Sequence, residues 1–135
     1  MASATAKLSN LGISARKVRL VVDLIRGKKG SHARDILHVT VKEAALPVRK
    51  LLESAVANAE HAAQERHERI DPDEMIVSTI MVNEGRTLRR FQSAPRGRAL
   101  RIRKRSSHVE ILIQDRPGAP APKPATHGER KATGQ

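Results

Sequence analysis

The chain has 135 residues, 39% of them hydrophobic but only 1% aromatic, with a formal net charge of +12 and no cysteine. That length suffices for one domain of roughly 100 to 115 residues and a tail, and is short for two independent cores. Disulfides, thiolate metal sites and cysteine nucleophiles are excluded, and no apolar run approaches the roughly 18 residues of a membrane span.

Phe91 is the only aromatic ring besides the histidines, so the core is expected to be built from Leu, Ile, Val, Met and Ala. The opening stretch "MASATAKLSNLGIS" lacks the apolar centre of a secretory signal, and a cytosolic chain without a membrane partner is expected. Within it Ala4, Ala6 and Leu8 alternate with Ser3, Thr5 and Lys7, as in a short strand.

Ser14 then precedes "ARKVRLVVDLIRGKKG", where Val18, Val21, Val22 and Ile25 follow helical spacing. Ser14 is the expected N-cap and Gly27 with Gly30 the expected stop. A second helix is expected over Ser31 to Val39, capped by Ser31. Thr40 and Glu43 have capping-box spacing for a longer one carrying Val48, Leu51, Leu52, Ala55, Val56, Ala59 and Ala62. Pro47 either kinks the first turn of that helix or stands near its start.

"DPDE" at 71–74 reads as a turn, and Met75 to Val82 as a β-branched strand. Val109, Ile111 and Ile113 alternate with Glu110, Leu112 and Gln114 in a further strand, expected to pair antiparallel with the first. The fold class is α+β: three helices packed on a small antiparallel sheet, with a long protruding basic β-hairpin. One domain over residues 1–115 is expected, including a hairpin at 85–107. From Arg116 the composition turns to Pro and Gly, and residues 116–135 are expected to be a disordered tail.

The hairpin carries the charge. Eight arginines and one lysine lie between Arg86 and Arg105 with no acidic residue among them, leaving 17 basic against 14 acidic residues elsewhere. A scattered surplus serves solubility, whereas one confined to a single segment implies a polyanionic partner there. Guanidinium groups grip phosphates with paired hydrogen bonds and stack on exposed bases, which suits folded RNA. Pro95 and Gly97 supply the turn, with legs of about 10 residues reaching roughly 30 to 35 Å. Without apolar surface the arm is expected to be mobile until phosphates neutralise it. In an extended leg Arg101, Arg103 and Arg105 share one face. A smaller cluster, Arg16, Lys17 and Arg19, stands at the positive end of the first helix, where like charge costs stability unless an anion compensates.

Other classes find little support. His61 and His67, like His32 and His38, are six apart, about 240° around a helix, and neither pair ligates a metal. Asp71, Asp73 and Glu74 read as turn and cap residues, so no catalytic, metal or cofactor site is expected. A nucleoid protein with a basic β-arm is the stronger rival, yet the chain shows no recognition helix, wedge pair or zipper. Aromatic stacking platforms of the kind single-strand binders use are missing.

"SARKVRLVVDLIRGKKG", "LLESAVANAE", "NEGRTLRRF" and "RGRALRIRKRSSHVEILI" occur in an order and spacing that resembles the large-subunit ribosomal protein twenty-two family, bacterial type, over about residues 5 to 114. The resemblance implies a structural constituent of the large subunit that binds its ribosomal RNA, supports assembly and lines the nascent-peptide exit tunnel. It implies RNA contacts from Arg16, Lys17, Arg19, Arg86, Arg89, Arg90, Arg96, Arg98, Arg101, Arg103, Lys104, Arg105 and His108. By the same resemblance Gln92, Ser93, Ala94, Pro95, Arg96, Gly97 and Arg98 form the tunnel tip. The implied partners are large-subunit rRNA, neighbouring ribosomal proteins and the nascent polypeptide, in a cytoplasmic or organellar ribosome, with no homo-oligomer. Arg86 departs from the family, where a proline is usual after the Glu-Gly pair.

Overall fold

The computed structural model describes residues 3–67 and 69–115; the tail expected at 116–135 lies outside the described residues. The elements run β1 (Ser3–Leu11), α1 (Ala15–Ile25), α2 (Gly30–Val39), α3 (Ala45–Arg66), β2 (Ile76–Glu84), β3 (Leu88–Ser93), a 3-10 turn (Pro95–Gly97), β4 (Ala99–Lys104) and β5 (Ser107–Gln114). The three helices and the antiparallel sheet expected from periodicity are present.

β5 is the central strand of a three-stranded sheet ordered β1-β5-β2. Ile111 faces Ile80 on one side and Ala6 on the other, and Val109 faces Val82. The alternation read from the sequence holds on β5 as far as Ile113: Val109, Ile111 and Ile113 are buried and Glu110 and Leu112 half-exposed, but Gln114, expected on the outward side, is buried at the end of the strand. β2 breaks its own alternation, because an extra residue between Val77 and Thr79 lets Val77 and Ile80 both point inward. A second bulge lies between Leu8 and Leu11, where Asn10 takes the left-handed conformation at φ 57°.

The buried face is covered by Val18, Val21, Val22 and Ile25 of α1 and by Val48, Leu52, Ala55 and Ala59 of α3. With no aromatic side chain in that cluster, alanines let helix and sheet approach closely enough to exclude water. On the outer face Lys7 pairs with Glu110 at 3.1 Å.

Two of the expected caps are displaced, one by a tertiary contact and one by a local hydrogen bond. α2 begins at Gly30 with Lys29 as its cap residue, so Ser31 is inside the helix and its hydroxyl donates to the Asp73 carbonyl at 3.3 Å. Gly30 starts this helix instead of stopping the previous one. Its N–H donates to Met75 O at 2.6 Å, and a Cβ there would stand 3.4 Å from the Met75 and Pro72 carbonyls. Gly27, at φ 72°, is the residue that turns the chain after α1. Thr40 opens no capping box: its hydroxyl donates back to Ile36 O at 2.7 Å and closes α2, while α3 starts after Ala44. Pro47 falls in the first turn of α3, where a missing N–H leaves no helical bond unmade.

Beyond the sheet the β2–β5 pair continues into a separate two-stranded ribbon of β3 and β4, with Leu88 opposite Lys104 and Ser93 opposite Ala99. Every residue of β3 is exposed, and on β4 only Ile102 is half-buried. Six residues per strand make a ladder of roughly 20 Å. Among the described residues no helix is long and apolar enough to cross a membrane.

Candidate nucleic-acid interface

Strand pairing decides which basic groups share a face, because residues directly opposite in an antiparallel ladder point the same way. Arg89 is opposite Arg103 and Phe91 opposite Arg101, so these four share one face of the ribbon, with Ser93 and Ala99 nearer the tip. The other face carries Leu88, Arg90, Gln92, Leu100, Ile102 and Lys104. Arg101 and Arg103 share a face as expected, but Arg105 lies past the end of β4 and belongs to the base of the ribbon.

Two like charges placed directly across a ladder repel. Among the described residues no carboxylate lies within 4 Å of any ribbon arginine to offset Arg89 against Arg103. Arg90 turns Nη1 onto the Arg89 carbonyl at 3.0 Å. At the tip Ala94 donates to Arg98 O at 2.9 Å, and the chain reverses with Arg96 and Gly97 in left-handed conformations, φ 63° and 68°. Arg96 and Arg98 are exposed, as are Gln92, Ser93 and Pro95.

The base of the ribbon meets the first turn of α1. Ser14, Arg16, Glu84, Gly85, Thr87, Arg105 and Ser106 line an open cleft of about 340 Å³. An adjoining cleft of about 220 Å³ is lined by Ser14, Lys17, Glu43, Arg103, Lys104 and Arg105. The Ser14 side chain caps nothing, and no acidic residue sits in the first turn. The positive end of the helix dipole therefore faces the same space as five basic side chains, an arrangement that favours an anion. Glu84 and Glu43 are the opposing charges there. Arg19 is tied to the body, donating from Nη2 to the Val82 carbonyl at 3.1 Å while staying exposed.

His108 has an internal partner: its Nδ1 accepts the Asn10 N–H at 3.0 Å, which leaves the hydrogen of the neutral ring on Nε2. That ring, with Ser106, brackets a joint. Between Glu84 opposite Ser107 and Leu88 opposite Lys104, residues 85–87 face only 105–106, one residue in excess. Gly85 donates to Ser106 O at 2.8 Å, and the Ser106 hydroxyl donates to the carbonyl of Arg86, whose side chain is exposed. A Cβ on Gly85 would fall 2.6 Å from Ser106 Oγ and 3.0 Å from His108 Nε2. Gly85→Ala is therefore expected to cost about 1 to 3 kcal/mol in denaturant unfolding. Gly12→Ala, with nothing within 4 Å of its Cβ, is expected to change stability by no more than about 0.5 kcal/mol.

Two features escaped sequence reasoning. One is this joint, signalled only by the glycine in "NEGR". The other is the placement of Phe91, which is 72% exposed on the arginine face. Among the described residues no cluster of three His, Asp or Glu side chains forms a metal site.

Residues 6–114 match the family model described as Ribosomal protein L22p/L17e. The chain belongs to this family. The L22p/L17e family is one of structural, non-enzymatic constituents of the large ribosomal subunit, and membership implies ribosomal RNA and other ribosomal proteins as the class of partners. The matched span takes in the sheet, the three helices and the ribbon alike.

Proposed function

We propose that the ribbon and the clefts at its base are the RNA-binding surface of this large-subunit protein, and that residues 1–115 act as one domain with two parts. The body of helices and sheet is the docking platform. The ribbon, with Arg89, Arg90, Arg96, Arg98, Arg101 and Arg103, inserts among rRNA segments and holds them together, supporting assembly, and Arg86 contacts the RNA from the joint. Arg16, Lys17, Lys104 and Arg105 bind phosphate at the base, Arg19 from its place beside β2, while His108 holds the joint and borders the RNA. The tip, Gln92 to Arg98, lines the wall of the peptide exit tunnel in a bacterial-type ribosome and faces the nascent polypeptide. The observation that carries this reading is the pairing of Arg89 with Arg103 on an exposed ribbon without carboxylates. Such a ladder is destabilised by its own charge, and phosphate neutralisation completes it, so binding and ordering of the arm are coupled.

Competition tests this. The protein is expected to prefer structured large-subunit RNA fragments to duplex DNA of equal phosphate content, with affinity falling on a log–log salt slope on the order of −4 to −8 for roughly six to nine contacts. Equal affinity for DNA would favour a nucleoid role, and a flat salt response would remove the ribbon from the interface. Crosslinks from Arg90, Arg98 and Arg103 within assembled subunits are expected to reach more than one RNA domain. Crosslinks from Ser93 are expected to reach a stalled nascent chain.

A further inference from the structure

The chain's single phenylalanine lies outside its core. A core built of aliphatic side chains and alanine had every use for a large ring, yet Phe91 is 72% exposed in the middle of β3. Most of the side chains around it are basic. Arg101 stands directly across the ladder, Arg89 is two residues earlier on the same face, and Arg103 is opposite Arg89. These side chains, with Arg90 and Ile102, border a cleft of about 230 Å³.

An occupant must satisfy the ring and the guanidinium groups together. An aliphatic protein surface laid on Phe91 would desolvate three arginines without pairing them. A duplex would pair the arginines but keep its bases stacked inside, out of reach of the ring. An unpaired nucleotide supplies both a π face for the ring and, on either side of it, phosphates for the arginines. We propose that Phe91, with Arg89, Arg101 and Arg103, forms a subsite for one unpaired RNA nucleotide, its base stacked on the ring and its flanking phosphates held by the guanidinium groups. The subsite rests on the RNA-binding reading above and sharpens it. The ribbon then reads where RNA bulges or loops as well as where its phosphates lie.

The test uses the full chain and two blunt-ended RNA duplexes of equal base-pair count, one fully paired and one carrying a single bulged adenine. The wild-type protein is expected to bind the bulged duplex about tenfold more tightly, toward the low end of what base–aromatic stacking supplies. Phe91→Ile, which keeps strand propensity and apolar character but has no ring, is expected to erase that preference. Its salt slope and its unfolding midpoint are expected to stay unchanged. Phe91→Tyr is expected to retain the preference. Equal wild-type affinity for the two duplexes with a steep salt slope would overturn the subsite alone, as would a Phe91→Ile variant that keeps the preference. Binding to neither duplex would overturn the subsite together with the reading beneath it.

Discussion

Excision of Arg89–Arg103, with an Asn-Gly turn joining Leu88 to Lys104, is expected to leave a folded body and to weaken binding to large-subunit RNA by about a thousandfold or more. The junction is feasible because Leu88 and Lys104 are registered partners in the ladder, and Asn-Gly suits a two-residue reverse turn. Body stability is expected to be unaffected, because no excised side chain belongs to the core cluster. The affinity loss follows from the six arginines removed, at 89, 90, 96, 98, 101 and 103. A thousandfold loss is about 4 kcal/mol, which asks less than about 1 kcal/mol of each, below the usual worth of a hydrogen bond to a charged group. The salt slope is expected to flatten by about 4 to 5 if each arginine meets one phosphate. Circular dichroism and a salt titration of RNA binding measure the two halves of this result. An unfolded body would sink the division into platform and arm, and an unchanged slope would sink the ribbon as the main electrostatic contact.

Ile111→Ala has the opposite profile. Ile111 is fully buried at the centre of the middle strand, between Ile80 and Ala6 and beneath the helices. Truncation there is expected to cost about 2 to 5 kcal/mol, since the flanking alanine has no atoms with which to fill the void. Against a total of about 5 to 15 kcal/mol for a typical domain, that is a large fraction. A fall in melting temperature of roughly 10 to 20 °C is expected, with the salt slope of RNA binding unchanged at temperatures where the variant is folded. Leu112→Ala, one residue on and half-exposed on the other face, is expected to be much milder. Equal melting points for the two variants would contradict the assignment of faces on β5.

The two experiments separate surfaces that the chain itself separates. The body holds its shape by apolar burial, and among the described residues no ribbon arginine has a carboxylate within 4 Å. The joint at Gly85 links them, with Ser106 and His108 packed against it.

What the sequence determined by itself is whatever depends on near neighbours. The apolar stripe on α1, the alternation on β5, the turn at Pro95–Gly97 and the confinement of charge to Arg86–Arg105 were all legible, because helical and strand periodicity and turn chemistry are properties of short stretches. So was the family, whose motifs are runs of adjacent residues. Tertiary structure decided most of the rest. The start of α2 escaped because Gly30 is held by the Met75 carbonyl, a bond between residues far apart in the chain. The start of α3 escaped for a local reason, since the Thr40 hydroxyl bonds back to Ile36 O four residues earlier, in competition with the capping box. The placing of β5 between β1 and β2, and the bulges in both outer strands, depend on hydrogen bonds between residues far apart in the chain. The one-residue excess at Gly85–Thr87 is the most consequential of these. Without it Leu88 and Arg90 would face Arg103 and Arg101; with it Arg89 and Phe91 do. Strand side chains alternate with period two, so a single inserted residue exchanges the faces, and only the paired structure reveals where the insertion falls.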